Sequence, residues 1–349
     1  MKDTTTTVLG IDIAKNVFQL HGVNSEGKMS LKKRLSRNKF MEFVATLPPC
    51  LIGLEACGGA HYWGRYLMAL GHDVKLMSPK QVKAYVSRNK NDAADATACC
   101  EAVTRHHVKK VTVKSEQQQA ILLLHKARSR LLKHRVQLSN HIRGCLYEFG
   151  FIIAKGKAAF RERLTEFLGD DSGVLPQVKS VLADLYEEYI ALDKRIKLYD
   201  KKVTQVVTLD KDCRCLKTIP GFGPLSASAF ACPVKDQPFT KGRQAAAWIG
   251  LTPREHSSGE KHKLLGISKQ GHRYLRTLLV NGARACVRTA MKEMSPNKRE
   301  GWIQRLVETR GYNKAVVALA NKNARIAWAM LDKGNDYQND FAKLYHYAA

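Results

Sequence analysis

Three extended segments separated only by turns open this chain, and strictly alternating helix and strand follow. Few folds accept that order. Residues 6–13 are β-branched and apolar, residues 17–23 alternate, and after the turn Asn24-Ser25-Glu26-Gly27 an extended pattern resumes from Lys28 to Leu35. Asn38 is placed to cap a helix running to about Leu47, where Pro48-Pro49 stops it. Leu51 to Glu55 reads as a short buried strand, Tyr62 to Leu70 as a helix ended by Gly71, and Asp73 to Met77 as another strand. From Pro79 to about Arg105 the pattern is helical, with a polar interruption at Asn89-Lys90-Asn91.

Four carboxylates punctuate this β-β-β-α-β-α-β-α series. Asp12 lies in the first strand, in Leu9-Gly10-Ile11-Asp12-Ile13-Ala14-Lys15, and Glu55 ends the fourth, in Leu54-Glu55-Ala56-Cys57-Gly58. Asp92 and Asp95, at i and i+3, share one helix face. The chain carries 58 Lys+Arg against 31 Asp+Glu, a net charge of +27, so acids set in apolar strands need a reason. A hard divalent cation supplies one: Mg²⁺, with Mn²⁺ as substitute, takes oxygen ligands and bridges to phosphate oxygens. Ribonuclease H-like nucleases use this element order, in which strand ends and one helix face converge on a metal cluster. The competing reading is structural, with the acids satisfied by caps or salt bridges and Asp92 favoured by a helix dipole.

The charge points to nucleic acid rather than to a small-molecule substrate. No run of 18 apolar residues occurs, and Met1-Lys2-Asp3-Thr4 lacks an apolar signal core, so a cytoplasmic protein without membrane contact is expected. Nine scattered cysteines show no zinc-type spacing and read as reduced thiols. A length of 349 residues predicts more than one core. The pattern divides into an α/β domain at 1–110, a helical spacer at 111–209, a mainly helical domain at 210–334 and a loose tail at 335–349.

In the spacer, Leu124, Leu131, Leu138 and Cys145 recur every seven residues, with Lys126, Arg130 and Lys133 among the cations on the other faces. A second helix alternates steps of four and three through Val178, Leu182, Leu185, Tyr189, Leu192, Ile196, Tyr199, Val203 and Val206, a coiled-coil pattern. Its acidic polar face rules it out as a nucleic-acid surface and suggests protein–protein packing, with packing inside the chain as the alternative. Further on, the Gly221 and Gly223 loop in Thr218-Ile219-Pro220-Gly221-Phe222-Gly223-Pro224 resembles the helix-hairpin-helix turn of sequence-independent DNA binders, where backbone N–H groups face a phosphate. A Gly/Pro linker is the plainer reading. A polar loop, Leu251 to Lys261, precedes a helix of about 22 residues on which Arg276, Arg284, Arg288 and Lys292 form one i+4 row, a face suited to a phosphate backbone.

The acidic motifs, the Thr218–Gly223 loop, Gly250-Leu251-Thr252-Pro253, Ser258-Gly259 and Lys269-x-Gly271 stand in one order. Together they resemble the DEDD transposases of the IS110 insertion-sequence family, IS1111 subgroup, over nearly the whole chain. The resemblance implies a RuvC-like domain, a coiled-coil spacer and a C-terminal transposase domain. It also implies recombination of donor and target DNA guided by a structured bridge RNA; a composite site and the heptads favour a dimer or tetramer. Asp12, Glu55, Asp92 and Asp95 match the family's acidic tetrad, and Ser258 its nucleophilic serine. Ser257 immediately precedes Ser258, so that assignment rests on spacing to Thr252-Pro253, and Cys57 stands where the family often has a small hydroxyl residue.

The mechanism implied is a composite site, with the serine attacking a DNA phosphate to form a phosphoserine link while metal-held oxygens polarise it. A hydrolytic endonuclease of junction-resolvase type would need the acids but no serine. A sugar-kinase or actin-like ATPase also opens with Gly-x-Asp after a strand, but would need further Gly-rich phosphate loops, which are absent. A non-catalytic nucleic-acid-binding protein would leave the acids structural.

Overall fold

The computed structural model describes residues 5–86, 92–259, 261–334 and 337, and divides into two compact units, Met1–Gln117 and Gln118–Ala349.

In the first unit, β1 (Val8–Ile13), β2 (Val17–Val23) and β3 (Met29–Ser36) form an antiparallel meander. Next come α1 (Arg37–Thr46), β4 (Leu51–Glu55), α2 (Ala60–Ala69), β5 (Asp73–Met77), α3 (Pro79–Val82), a 3₁₀ turn at Lys83–Tyr85, α4 (Asp92–Val103) and the two-residue β6 (Lys110–Val111). The helical connections let β4 run parallel to β1, and β5 parallel to β4. The sheet order is β3-β2-β1-β4-β5-β6, consistent with the ribonuclease H-like order expected. Phe18 and Phe40 stack at 4.4 Å and Trp63 meets both edge-on, filling the core on one face. Two details differ from expectation. β3 runs straight into α1, so Ser36 takes the N-cap position and Asn38 falls in the first turn. The continuous helix expected after Pro79 is broken into α3, a 3₁₀ turn and α4, and the interruption at Asn89–Asn91 lies outside the described residues.

The other sheet face receives α4, and two glycines set how closely. Gly10 and Gly53 are register partners across β1 and β4. A methyl group on Gly10 would stand 2.1 Å from the Ala96 carbonyl oxygen, and one on Gly53 would stand 2.6 Å from that of Cys99. The α4 backbone therefore lies almost on the sheet, and the small side chains of Ala96, Ala98, Cys99 and Cys100 make that approach possible.

The second unit is mainly helical. The arm is α5 (Glu116–Tyr147), α6 (Lys157–Leu168) and α7 (Pro176–Leu209). There follow α8 (Lys211–Lys217), α9 (Pro224–Val234), α10 (Gly242–Ile249), the hairpin β7 (Pro253–Glu255) and β8 (Leu264–Ile267), then α11 (Arg273–Ala290), α12 (Lys298–Arg310) and α13 (Tyr312–Lys333). Leu131, Leu138, Ile142 and Leu146 of α5 share one apolar cluster with Phe160, Leu164 and Phe167 of α6 and Leu182, Tyr189, Leu192 and Ile196 of α7. This corrects the protein–protein assignment of the α7 stripe: its central positions are covered inside the same chain. On α5 the buried line shifts from Cys145 to Ile142 and Leu146.

Ion pairs fix how the arm helices run. Arg128 pairs with Asp200, and Arg135 with Asp193. Seven residues up α5 match seven down α7, so the two helices are antiparallel in heptad register. Asp193, whose side chain is 3% exposed, also binds Lys157 at 2.6 Å and Arg161 at 3.0 Å from α6. One buried carboxylate thus ties three helices; burial works to raise its pKa, but those cations hold it below the ordinary carboxylate value.

Candidate functional site: an acidic cluster and an exposed serine hairpin

The glycine pair decides what faces α4. Side chains two residues apart on a strand share a face, so Asp12 follows Gly10 and Glu55 follows Gly53 to the α4 side at the strand ends. The first turn of α4 brings Asp92 and Asp95. One ligand oxygen from each of Asp12, Asp92 and Asp95 lies within 4.8 Å of the others. Asp12 and Asp95 are half-buried and Asp92 is exposed, which leaves the cluster open on one side. Glu55 falls outside this tightest trio but faces the same charge. The Asp12 carboxyl is pushed up to about 6 by burial first, then by Asp95, Asp92 and Glu55. The Cys57 thiol, raised by burial and by Glu55 and Asp12, marks the rim.

Like charges crowded this closely are costly unless a cation is shared among them. Oxygens a few ångströms apart suit a hard divalent ion, which takes carboxylate oxygens at ~2.1 Å. The residues therefore fit such an ion: Asp12, Asp92 and Asp95 would hold it and Glu55 stands close by. The arrangement also disfavours the structural reading of these acids, since Asp12 is destabilised as an anion where a salt bridge would stabilise it.

Ser258 sits in the second unit on the turn joining β7 to β8, which the sequence showed only as a polar loop. Its backbone exchanges hydrogen bonds with Lys261 across the turn, and Gly259 supplies the left-handed conformation at φ +57°. Ser258 is exposed. Ser257 is engaged instead, its hydroxyl donating to Glu255 Oε1 at 2.7 Å, and that carboxylate also faces His262 Nδ1 at 3.6 Å. These two titratable groups beside the serine were not singled out from the sequence, because a loop reading hides which side chains a hairpin brings together.

The predicted cationic positions separate. Lys126, Arg130 and Lys133 lie exposed along α5, whereas Arg128 and Arg135 turn inward to their aspartates. Arg284 and Arg288 are exposed on α11, with Lys292 just past its end. Arg276 is occupied otherwise: its guanidinium donates to the carbonyls of Ile249 and Gln270 and anchors α11 to the loop after α10. The Gly221 loop packs inward as well. At φ +93° Gly221 lies against Gly282 of α11, and the Pro220 carbonyl accepts from Arg299 and Asn323. Close packing explains that glycine, while Gly223 stands in the N-cap position of α9 with open space around it.

Among the described residues no helix is long and apolar enough to cross a membrane. The model of the family described as Transposase IS116/IS110/IS902 matches residues 213–297, and a second model, described as a transposase and labelled DEDD, matches residues 9–150. A probable family 20 transposase of Pseudomonas aeruginosa is 44% identical over 95% of this chain and 98% of its own length. The transposase for insertion sequence element IS1111A of Coxiella burnetii is 43% identical over 97% of this chain and 92% of its own. That for IS1328 of Yersinia enterocolitica is 36% identical over 94% and 97%. With acids converging within residues 9–150 and the serine hairpin within residues 213–297, the chain belongs to the IS116/IS110/IS902 family of DEDD transposases.

Proposed function

We propose that this transposase cuts and rejoins DNA by serine attack on a phosphodiester, assisted by Mg²⁺ or Mn²⁺ held on its acids and directed to its target by a bridge RNA. The observation that carries the reading is the trio Asp12, Asp92 and Asp95, whose ligand oxygens gather within 4.8 Å. Bound divalent ions would supply Lewis-acid polarisation of the scissile phosphate.

The chain's own residues account for the rest. Ser258 Oγ forms the bond to phosphorus and gives up its proton, while the DNA oxygen that leaves gains one; a second DNA hydroxyl then reverses the step and reseals the strand. Exposure of Ser258 gives a phosphate access to it, and engagement of Ser257 by Glu255 favours Ser258 of the two. Lys126, Arg130, Lys133, Arg284, Arg288 and Lys292 set affinity and salt dependence through the backbone. The RNA rests on the family resemblance. Exchange between two DNA molecules calls for at least two copies, a dimer or tetramer.

Trapping the covalent intermediate tests the core of this. Wild type and Ser257→Ala should both yield a protein–DNA adduct and Ser258→Ala none, while Asp95→Asn binds DNA without cutting it. Adducts persisting on Ser258→Ala would refute the serine. Metal-dependent cleavage by wild type with no adduct would establish the hydrolytic alternative. Sequencing the RNA that co-purifies with the protein decides the guide.

A further inference from the structure

Between the β7–β8 hairpin and α13 lies a cleft of about 1200 Å³ that none of the predicted site residues lines. Six cations line it, Arg243, Arg254, Lys269, Lys314, Lys322 and Arg325, and among the described residues no carboxylate does. Its floor is apolar, with Leu251, Ile267, Val317, Ala318 and the Trp302 ring.

Arg243, Arg254, Lys269 and Lys314 are exposed, but Lys322 and Arg325 are set into the cleft itself. Arg325 packs its backbone and Cβ against Gly242 where α10 meets α13, and its Nε is buried with no hydrogen-bond partner. Lys322 is 8% exposed, with its ammonium 5.2 Å from the centre of the Trp302 ring. Neighbouring cations make matters worse for both: burial and Arg243 lower the pKa of Arg325, and burial, Arg299 and Arg325 lower that of Lys322 to about 8. Positive groups held together under this strain are relieved by an anion entering among them.

We infer that this cleft seats a single DNA strand, its phosphates along the cationic walls and its bases against the Trp302-containing floor. The inference rests on the reading of this enzyme as one that transfers DNA strands, and names where the strand lies beside the hairpin that carries Ser258. The lining decides the occupant. In a duplex the bases are paired and stacked inside, so their faces cannot lie against the Trp302-containing floor. An apolar aromatic floor between cations is the surface that unpaired bases and their backbone use.

The test uses the full-length protein and needs no cleavage, so it stands or falls independently of the serine mechanism. The triple reversal Arg243→Glu, Arg254→Glu and Lys314→Glu alters exposed residues only. It is compared with an equal-charge control at three exposed lysines elsewhere, Lys39→Glu, Lys80→Glu and Lys201→Glu. Fluorescent single-stranded DNA, duplex DNA and single-stranded RNA of one sequence are titrated at several salt concentrations. The cleft variant should lose at least about tenfold more single-strand DNA affinity than the control, with the salt slope reduced by ~0.7 for each phosphate no longer neutralised. Duplex and RNA binding should fall no more than in the control. Single strands carrying 5-iododeoxyuridine should photo-crosslink to the peptide Glu300–Arg305, which contains Trp302. Equal losses in cleft variant and control, a loss confined to duplex or RNA, or crosslinks only elsewhere would overturn the inference. Failure of adduct trapping with these binding results intact would remove the serine and leave the cleft.

Discussion

Gly10 and Gly53 face one another across β1 and β4, and neither has room for a methyl group beneath α4. The approach of α4 to the strand ends that carry Asp12 and Glu55 therefore depends on two residues that carry no functional group. Gly10→Ala should destabilise the first unit by about 3 kcal/mol through overpacking, or push α4 off the sheet and spread the acids. Gly58→Ala, with open space around it, should change stability by less than about 0.5 kcal/mol. Denaturant unfolding of both variants checks this, and equal effects would contradict it.

Asp12 should trade stability for function. Its folded pKa of about 6 exceeds the ordinary 3.8, so the protonated form is the one the fold favours. Its contribution to stability is complete below about pH 3.8, fades as pH rises toward 6 and is gone above it. Asp12→Asn should accordingly stabilise the metal-free protein at pH 7.5, by about 1 kcal/mol once solvent screening of this half-buried group is allowed for, and change little at pH 4. Mg²⁺ should raise the melting temperature of wild type, less so below pH 6 where protons compete, and leave the variant nearly unmoved. Thermal melts with and without the ion measure both.

Removing Asp193 should cost more than removing any one of its partners. Asp193→Ala leaves Arg135, Lys157 and Arg161 gathered around an absent charge, for an expected loss of about 3–5 kcal/mol. Because the folded pKa of Asp193 is depressed, its contribution is present above about pH 3.8 and lost as pH falls through the folded value. Wild-type helical signal in the arm should therefore weaken at low pH, and the variant should lack that limb in an acid titration followed by circular dichroism.

His125 supplies a second acid-sensitive joint, here one that must stay neutral. It is buried on α5, with Nε2 at 3.0 Å from Ser228 Oγ and Nδ1 at 3.1 Å from the Tyr274 hydroxyl. Ser228 donates its own proton to the Pro224 carbonyl, so the network assigns the proton to Nε2 and leaves Nδ1 to accept from Tyr274. Burial first, then Arg128 and His272, lower its pKa to about 4 from 6.5. The stability it contributes is present above pH 6.5 and lost as pH falls toward 4. His125→Gln should flatten the dependence of melting temperature on pH across that window.

The sheet and its acids were legible because period-two strands, short turns and apolar crossover helices leave local marks that tertiary packing did not override. The role of Gly10 was not: a glycine in a strand says only that something comes close, and α4 lies over eighty residues onward. The β7–β8 hairpin is not legible because Pro253, Arg254 and Glu255 are all exposed and carry no alternation. Nor is α6, whose buried stripe of Phe160, Leu164 and Phe167 is too short to establish a period. On α11, periodicity placed Arg276 with Arg284 and Arg288, but helix spacing does not distinguish a side chain that meets solvent from one that meets a backbone carbonyl.

The matched steps of Arg128 to Arg135 and Asp200 to Asp193 make the helical arm a ruler graduated in sevens. Seven residues added to both α5 and α7 beyond these pairs would keep every later partner in phase and lengthen the arm by ~10.5 Å. Three or four added to one helix alone would rotate or slide all later pairs out of step. Natural variation in the reach of this arm is therefore expected to come in paired, whole-heptad increments.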